Sequence, residues 1–147
     1  MKLLIFTDGA SRGNPGKSAS GYAIYDSQYN LVEERAFYNG IATNNEAEYL
    51  AIIKALEAAG RAFDYAVEIE LYSDSRLAIN QLAGNFRIKS PKLKELNKRT
   101  KELLSKFKGY RLVNPRRNEE HISKVDKSLN VLLDKIEKKG EDRQRKL

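Results

Sequence analysis

The chain has 147 residues, enough for one domain with a core of its own. Hydrophobic residues make up 41% and charged residues 32%, which excludes a wholly disordered chain, a collagen and a membrane-embedded protein. The net charge is +7 with no cysteine and one histidine, so disulfides, cysteine nucleophiles, thiolate metal sites and any site needing two histidines are excluded. Lys2–Asp8 predicts a strand, apolar on both faces and suited to the centre of a sheet. Its apolar run is too short for a leader peptide, and far short of the ~20 residues of a membrane span. A cytoplasmic location is therefore the expectation. Gly9–Gly16 predicts a loop with three glycines and Pro15. Ser20–Asp26 and Leu31–Tyr38 predict a hairpin joined by the polar-leaning stretch Asp26–Asn30. Asn44–Gly60 is rich in Ala and predicts a helix stopped by Gly60. Ala66–Ser73 alternates, with Val67, Ile69 and Leu71 on one face, and predicts a strand. Ser75–Ala83 predicts a short helix ended by Gly84, and Ser90-Pro91 starts a longer one reaching about Lys108. Tyr110–Val113 predicts the last strand and Glu120–Lys139 the last helix. Residues 1–139 form the expected domain, and 140–147 a flexible basic tail.

This order, β-β-β-α-β-α-α-β-α, predicts an α/β domain on a mixed sheet. Ligands of such sheets sit beyond the carboxyl ends of the parallel strands. Two strands here close on an aspartate, Asp8 and Asp74. The charge is uneven: residues 1–74 carry 6 Lys and Arg against 11 Asp and Glu, while residues 75–147 carry 21 against 9. A basic half of this kind suits a polyanion, nucleic acid first, although exposed helices also use lysine for solubility.

The carboxylates are the candidate chemistry. Asp8 precedes Gly9, which admits a ligand or backbone closely; a turn aspartate bonded to its own loop is the plainer reading. Thr43 and Glu46 fit a capping box, which gives Glu46 a structural job. Glu48 shares a helix face with Ala51, Ile52 and Ala55, and a carboxylate on a buried face needs a partner or a metal. Asp74 could equally be a helix N-cap. Asp126 and Asp134 lie eight residues apart on the last helix, and either could face the sheet or solvent. Oxygen ligands without thiols favour Mg²⁺ or Mn²⁺ over zinc. Paired metals beside a basic surface suit phosphodiester cleavage.

Four segments resemble type 1 ribonuclease H. Thr7-Asp8-Gly9-Ala10-Ser11-Arg12-Gly13-Asn14-Pro15-Gly16 resembles its T-D-G-x-x-x-G-N-P-G opening, and Thr43-Asn44-Asn45-Glu46-Ala47-Glu48 its T-N-N-x-x-E motif. Ser73-Asp74-Ser75 and Val125-Asp126-Lys127-Ser128-Leu129-Asn130 resemble the third and fourth motifs. The resemblance covers nearly the whole chain. It implies a ribonuclease H-like fold: a five-stranded mixed sheet, three strands antiparallel and the rest parallel, flanked by helices. It implies an endoribonuclease that cuts the RNA strand of RNA–DNA hybrids to 5′-phosphate and 3′-hydroxyl ends. It assigns catalysis and metal binding to Asp8, Glu48, Asp74 and Asp126, with two Mg²⁺ or Mn²⁺ ions when substrate is bound. It selects Asp126 over Asp134, because Asn130 follows Asp126 at the motif's spacing. Asn14, Asn44 and Asn45 would bond the minor groove, and Thr43 a DNA phosphate. A helix start alone also explains Thr43, Asn44 and Asn45.

Several positions depart from the family pattern. Arg76 stands where many members carry Gln; it would meet phosphate or shift substrate preference. Gly84–Lys89 is similar to the shorter form of a Trp-rich basic excursion, with Phe86 either stacking on nucleic acid or packing locally. His121 sits five residues before Asp126, where a family histidine helps water activation or product release; a surface histidine at a helix start is the alternative. No separate hybrid-binding segment precedes Asp8, so the resemblance is to the short form and low processivity is expected. The expected partner is an RNA–DNA hybrid, with no membrane and no obligate protein partner, and the expected state is a monomer. Two rival functions share the fold: a nuclease that also cuts double-stranded RNA, and a binding module without catalysis. Loss of an acid would mark the second, and all four acids are present.

Overall fold

The computed structural model describes residues 1–145. Five strands form one sheet in the order β3-β2-β1-β4-β5. The strands β1 (Lys2–Gly13), β2 (Gly16–Asp26) and β3 (Leu31–Ala42) pair antiparallel. The strands β4 (Glu68–Ser73) and β5 (Gly109–Val113) add to β1 in parallel. The helices are α1 (Asn44–Phe63), α2 (Arg76–Leu82), α3 (Pro91–Leu104) and α4 (Glu120–Arg145). The expected element order and mixed sheet are therefore observed.

The alternation of β1 divides the molecule. Leu3 and Ile5 point into a large apolar cluster with α1, α2, α3 and the inner face of β4. Leu4 and Phe6 point to the other face and meet Ile122 of α4. Farther along that face, Ala19 packs with Leu129 and Leu133. Asp8 has the parity of Leu4 and Phe6, so it lies on the α4 side of the sheet.

Several boundaries correct the sequence reading. Residues 9–13, expected in a loop, extend β1: Gly9 pairs with Ser20, Ala10 with Ala19 and Arg12 with Lys17. Turn-forming composition suggested the loop, but these small residues fit a ladder pressed between helices. The turn itself is confined to Asn14 and Pro15. Gly60 does not end α1; it leaves room for the Tyr65 ring, and the helix ends at Asp64 in a left-handed conformation. The helix α3 stops at Leu104, short of Lys108. The helix α4 continues to Arg145 where a flexible tail from residue 140 was expected. One helical glycine costs about 1 kcal/mol, and the Lys and Glu residues flanking Gly140 are good helix formers. Residues 146 and 147 of that expected tail lie outside the described residues. Among the described residues, no helix is long and apolar enough to cross a membrane.

Candidate active site

Asp8 on β1 is the point at which four other elements meet. Thr7 of β1 pairs in parallel with Ser73 of β4, so Asp8 and Asp74 come next on adjacent chains. On the other side, Asp8 pairs with Gly21 of β2. The two glycines beside Asp8 admit the two helices. A Cβ on Gly9 would press on the Ala47 carbonyl and lie 2.7 Å from the Glu48 nitrogen. A Cβ on Gly21 would lie 2.9 Å from Val125 Cγ1. The helix α1 therefore seats against Gly9 and delivers Glu48. The helix α4 seats against Gly21 and delivers Asp126. Ser20 fixes the first contact by donating to the Ala47 carbonyl at 2.6 Å.

Carboxylate oxygens of Asp8, Glu48 and Asp74 lie within 4.8 Å of one another. Asp126 is outside that set, yet it is close enough to oppose ionisation of Asp8. Asp8 is 6% exposed and Glu48 9%, whereas Asp74 and Asp126 are open to solvent. Such crowding opposes ionisation. Burial first, then the charges of Asp74 and Asp126, pushes the Asp8 carboxyl up to about 8. Burial, then Asp8 and Asp74, holds Glu48 well above the usual carboxylate range. Burial and then Asp126 raise Asp74. The Gly9 N–H beside the Glu48 carboxyl offsets part of the rise at Glu48. One atom stays unsatisfied: Glu48 Oε2 is buried with no hydrogen-bond partner. An orphaned buried oxygen in an all-oxygen cluster is what a hard divalent cation would complete.

The flanking residues divide into two groups. Thr43 and Glu46 form the expected capping box, with the Glu46 N–H donating to Thr43 Oγ1 at 3.1 Å and the Thr43 N–H to Glu46 Oε1 at 3.0 Å. Asn14 and Asn44 tie the β1–β2 turn to α1. Asn14 Oδ1 accepts from the Asn44 N–H at 3.1 Å, and Asn44 Oδ1 accepts from the Ser11 N–H at 2.8 Å. Their carbonyl ends are thus occupied, which leaves the amino ends as donors. Asn45 is exposed on the first turn of α1. On the far side of Asp74, the Arg76 guanidinium lies 5.6 Å from the centre of the Phe86 ring. These two exposed side chains form one surface.

His121 packs among aromatic rings. Its ring packs 4.6 Å from Phe6, 5.1 Å from Tyr25 and 4.9 Å from Tyr29, and its Nδ1 meets Glu119 Oε1 at 2.8 Å. These are packing and anchoring contacts, and the same Glu119 lines the cleft beside Asp74 and Asp126. Sequence reasoning missed Asn118 and Glu119, which line a cleft of about 210 Å³ with Asp74 and Asp126. Glu119 also caps α4, accepting from the Ile122 N–H at 2.8 Å. Its position before the helix is visible in the sequence, but nothing local distinguishes it from Glu120.

Comparison with known proteins bears on this geometry. The RNase H family profile matches residues 1–131. The chain belongs to the RNase H family. It is 40% identical over 135 residues to a ribonuclease HI of Halobacterium salinarum, covering 90% of this chain. The chain spans 65% of that relative's length, and 29% of mycobacterial relatives to which it is 36% identical. The RNase H1 named LC11, isolated from compost, superposes with a TM-score of 0.84 at 35% identity, covering 92% of this chain and 97% of that one. A second LC11 RNase H1 structure, solved in complex with an RNA/DNA hybrid, gives a TM-score of 0.74 at 34% identity, covering 86% of this chain and 99% of that one. The RNase H core seen here thus spans β1 to the middle of α4, and includes all four acids.

Proposed function

We propose that the chain is an endoribonuclease that hydrolyses the RNA strand of RNA–DNA hybrids. In this reading Asp8, Glu48, Asp74 and Asp126 hold two Mg²⁺ or Mn²⁺ ions when substrate is bound. The carrying observation is the convergence of buried Asp8 and Glu48 with Asp74, with Glu48 Oε2 left unpartnered. Bound there, the cations would activate water and stabilise the leaving oxygen, giving 5′-phosphate and 3′-hydroxyl ends. Asp8 and Glu48 must lose their protons to bind a cation, so metal affinity rises with pH. The amino groups of Asn14, Asn44 and Asn45 suit ribose 2′-hydroxyls and base edges in a minor groove. Thr43 would position a DNA phosphate, while Arg76 with Phe86 offers a cation and a stacking face to the backbone beyond Asp74. His121 supports the site through Phe6 and Glu119. Membership of the RNase H family and the hybrid held by LC11 RNase H1 support the same substrate class.

The test is cleavage of a labelled RNA strand paired with DNA, paired with RNA, single-stranded, and paired with DNA in EDTA. Metal-dependent cutting of the hybrid alone, absent in Asp8→Asn, is the expected result. Equal cutting of duplex RNA would overturn the specificity. No cutting by folded protein with Mg²⁺ or Mn²⁺ would leave a binding module.

A further inference from the structure

One polar contact joins the first and fourth motifs. Arg12 lies four residues past Asp8 on β1, and its side chain crosses to α4. Its Nη1 meets Asp134 Oδ1 at 2.7 Å and Glu137 Oε2 at 2.9 Å. Its Nη2 donates to Asn130 at both Oδ1 and the backbone carbonyl, each at 3.2 Å. The other end of the Asn130 amide points to the site. Asn130 Nδ2 donates to Asp126 Oδ1 at 3.2 Å and to the Asp126 carbonyl at 2.9 Å. Asp126, Asn130, Asp134 and Glu137 recur at helical spacing, so one stripe of α4 carries the chain of contacts.

An asparagine amide has an accepting end and a donating end. A guanidinium fixed on Oδ1 decides which way the amide faces. With Arg12 in place, Nδ2 must turn to Asp126. Asp134 and Glu137 hold the other arm of the guanidinium, so it cannot swing away with Asn130. Asp126 itself is exposed and sits on the thinly packed face of the sheet. It has no burial to fix its rotamer, unlike Glu48.

We propose that Arg12 is a positioning residue for the Asp126 carboxylate, acting through the Asn130 amide. This rests on the reading of Asp126 as a metal ligand. Residues that orient a ligand from behind commonly change metal affinity or rate about 10–100-fold when removed. A lysine would keep the charge beside Asp134 and Glu137 but not the two-armed fork.

The experiment compares wild type, Arg12→Met, Arg12→Lys, Asn130→Ala, the Arg12→Met/Asn130→Ala double variant and Asp134→Asn. Each is assayed for hybrid cleavage against metal concentration, and for thermal stability. In Arg12→Met and Asn130→Ala we expect kcat to fall about 10-fold, with a raised metal requirement and a nearly unchanged KM for hybrid. Arg12→Lys should not restore kcat. The double variant should lose no more than Asn130→Ala, because both changes break one chain of contacts. Asp134→Asn leaves the Asn130 contact and should have the smallest effect. A lowered Tm with unchanged kcat and metal requirement would make Arg12 a staple only, and would overturn the proposal. So would losses that multiply in the double variant. A second readout needs no metal and no activity: the Asn130 side-chain amide resonances. Shifted, exchange-protected Nδ2 protons in wild type that move to free-asparagine shifts and exchange quickly with solvent in Arg12→Met support the positioning role; equal shifts and protection in both overturn it. Silence of the wild type in cleavage would instead defeat the nuclease reading, while the resonances still decide the role of Arg12.

Discussion

The two faces of the sheet hold the acids in different ways. On the α1 side a continuous apolar cluster links β1, β2, β4 and three helices, and Glu48 is fixed at its edge by burial. On the α4 side there are two small clusters, Leu4 with Phe6 and Ile122, and Ala19 with Leu129 and Leu133. There Asp126 is exposed, and hydrogen bonds do what packing does for Glu48. The glycines repeat the contrast. A Cβ on Gly9 would meet only backbone of α1, as near as 2.4 Å; one on Gly21 would meet the Val125 side chain at 2.9 Å and the Arg35 carbonyl of β3 at 3.2 Å. The α1 face is thus the rigid anvil of the site and the α4 face the adjustable one. On the proposed function, the site must release product and has use for one acid less firmly held.

The largest effect should come from the acids. Asp8→Asn should cut hybrid cleavage about 10³-fold, equal to about 4 kcal/mol of transition-state stabilisation. Asp126→Asn should lose less, because that carboxylate is exposed and lies outside the tight set. Equal losses would break the contrast. Stability should move the opposite way. The folded Asp8 carboxyl keeps its proton up to about 8, against 3.8 for a free one. Between those values the folded chain binds a proton that the unfolded chain has lost. Metal-free protein should therefore lose stability as pH rises from about 4 to about 8, and no further above that through this group. Calorimetry in EDTA should show Tm falling over that window. Added Mg²⁺ or Mn²⁺ should restore Tm most at the alkaline end. Asp8→Asn should flatten the slope and raise the metal-free Tm at pH 8.

The glycines give the next largest effect. Gly9→Ala should destabilise by about 3 kcal/mol and lower kcat about 100-fold, because it pushes the Glu48 backbone away from Asp8. Gly21→Ala meets Val125 at 2.9 Å and the Arg35 carbonyl at 3.2 Å, a looser fit than at Gly9, and should cost about 2 kcal/mol with a smaller rate loss. Below these come core truncations. Leu56→Ala, in the large cluster, should cost about 4 kcal/mol by denaturant unfolding but leave the kcat of folded protein near wild type. Leu129→Ala should cost about 2 kcal/mol yet lower kcat more, since it loosens the helix that carries Asp126. The reverse pattern would show that α4 is the firmer support.

Much of this was legible before any coordinates. Asp8 and Asp74 end strands and Glu48 shares a face with small apolar residues, while only the motif resemblance separates Asp126 from Asp134. The capping role of Glu46 and the apolar helix face of Glu48 together separate the two, and the capping box is present. What the sequence hid was reach. Residues 9–13 carry turn composition, yet the ladder with β2 overrides it. Arg12 stood within a quoted motif, but no local pattern announces a partner more than 100 residues away. Helix ends were misplaced for a related reason. Gly60 and Gly140 look like stops, and tertiary packing or flanking propensity keeps both inside helices.

The smallest expected effect concerns His121, and it sharpens the contrast most finely. If the histidine moved a proton in catalysis, His121→Ala would cost roughly 100-fold in rate. Its contacts argue otherwise: three aromatic rings within 5.1 Å of its own, and a bond from Nδ1 to the Glu119 that caps α4. A ring so enclosed serves the adjustable face as packing. We expect His121→Ala to lower stability by about 1 kcal/mol and to change kcat less than about threefold. His121→Phe should recover most of the stability, because the new ring can rest on Phe6 and Tyr29 while giving up only the Glu119 bond. A pH–rate profile that keeps its shape in both variants would place the titrating groups among the acids. A profile that loses one limb in His121→Phe, with Tm intact, would return the histidine to the chemistry and make the α4 face catalytic in its own right.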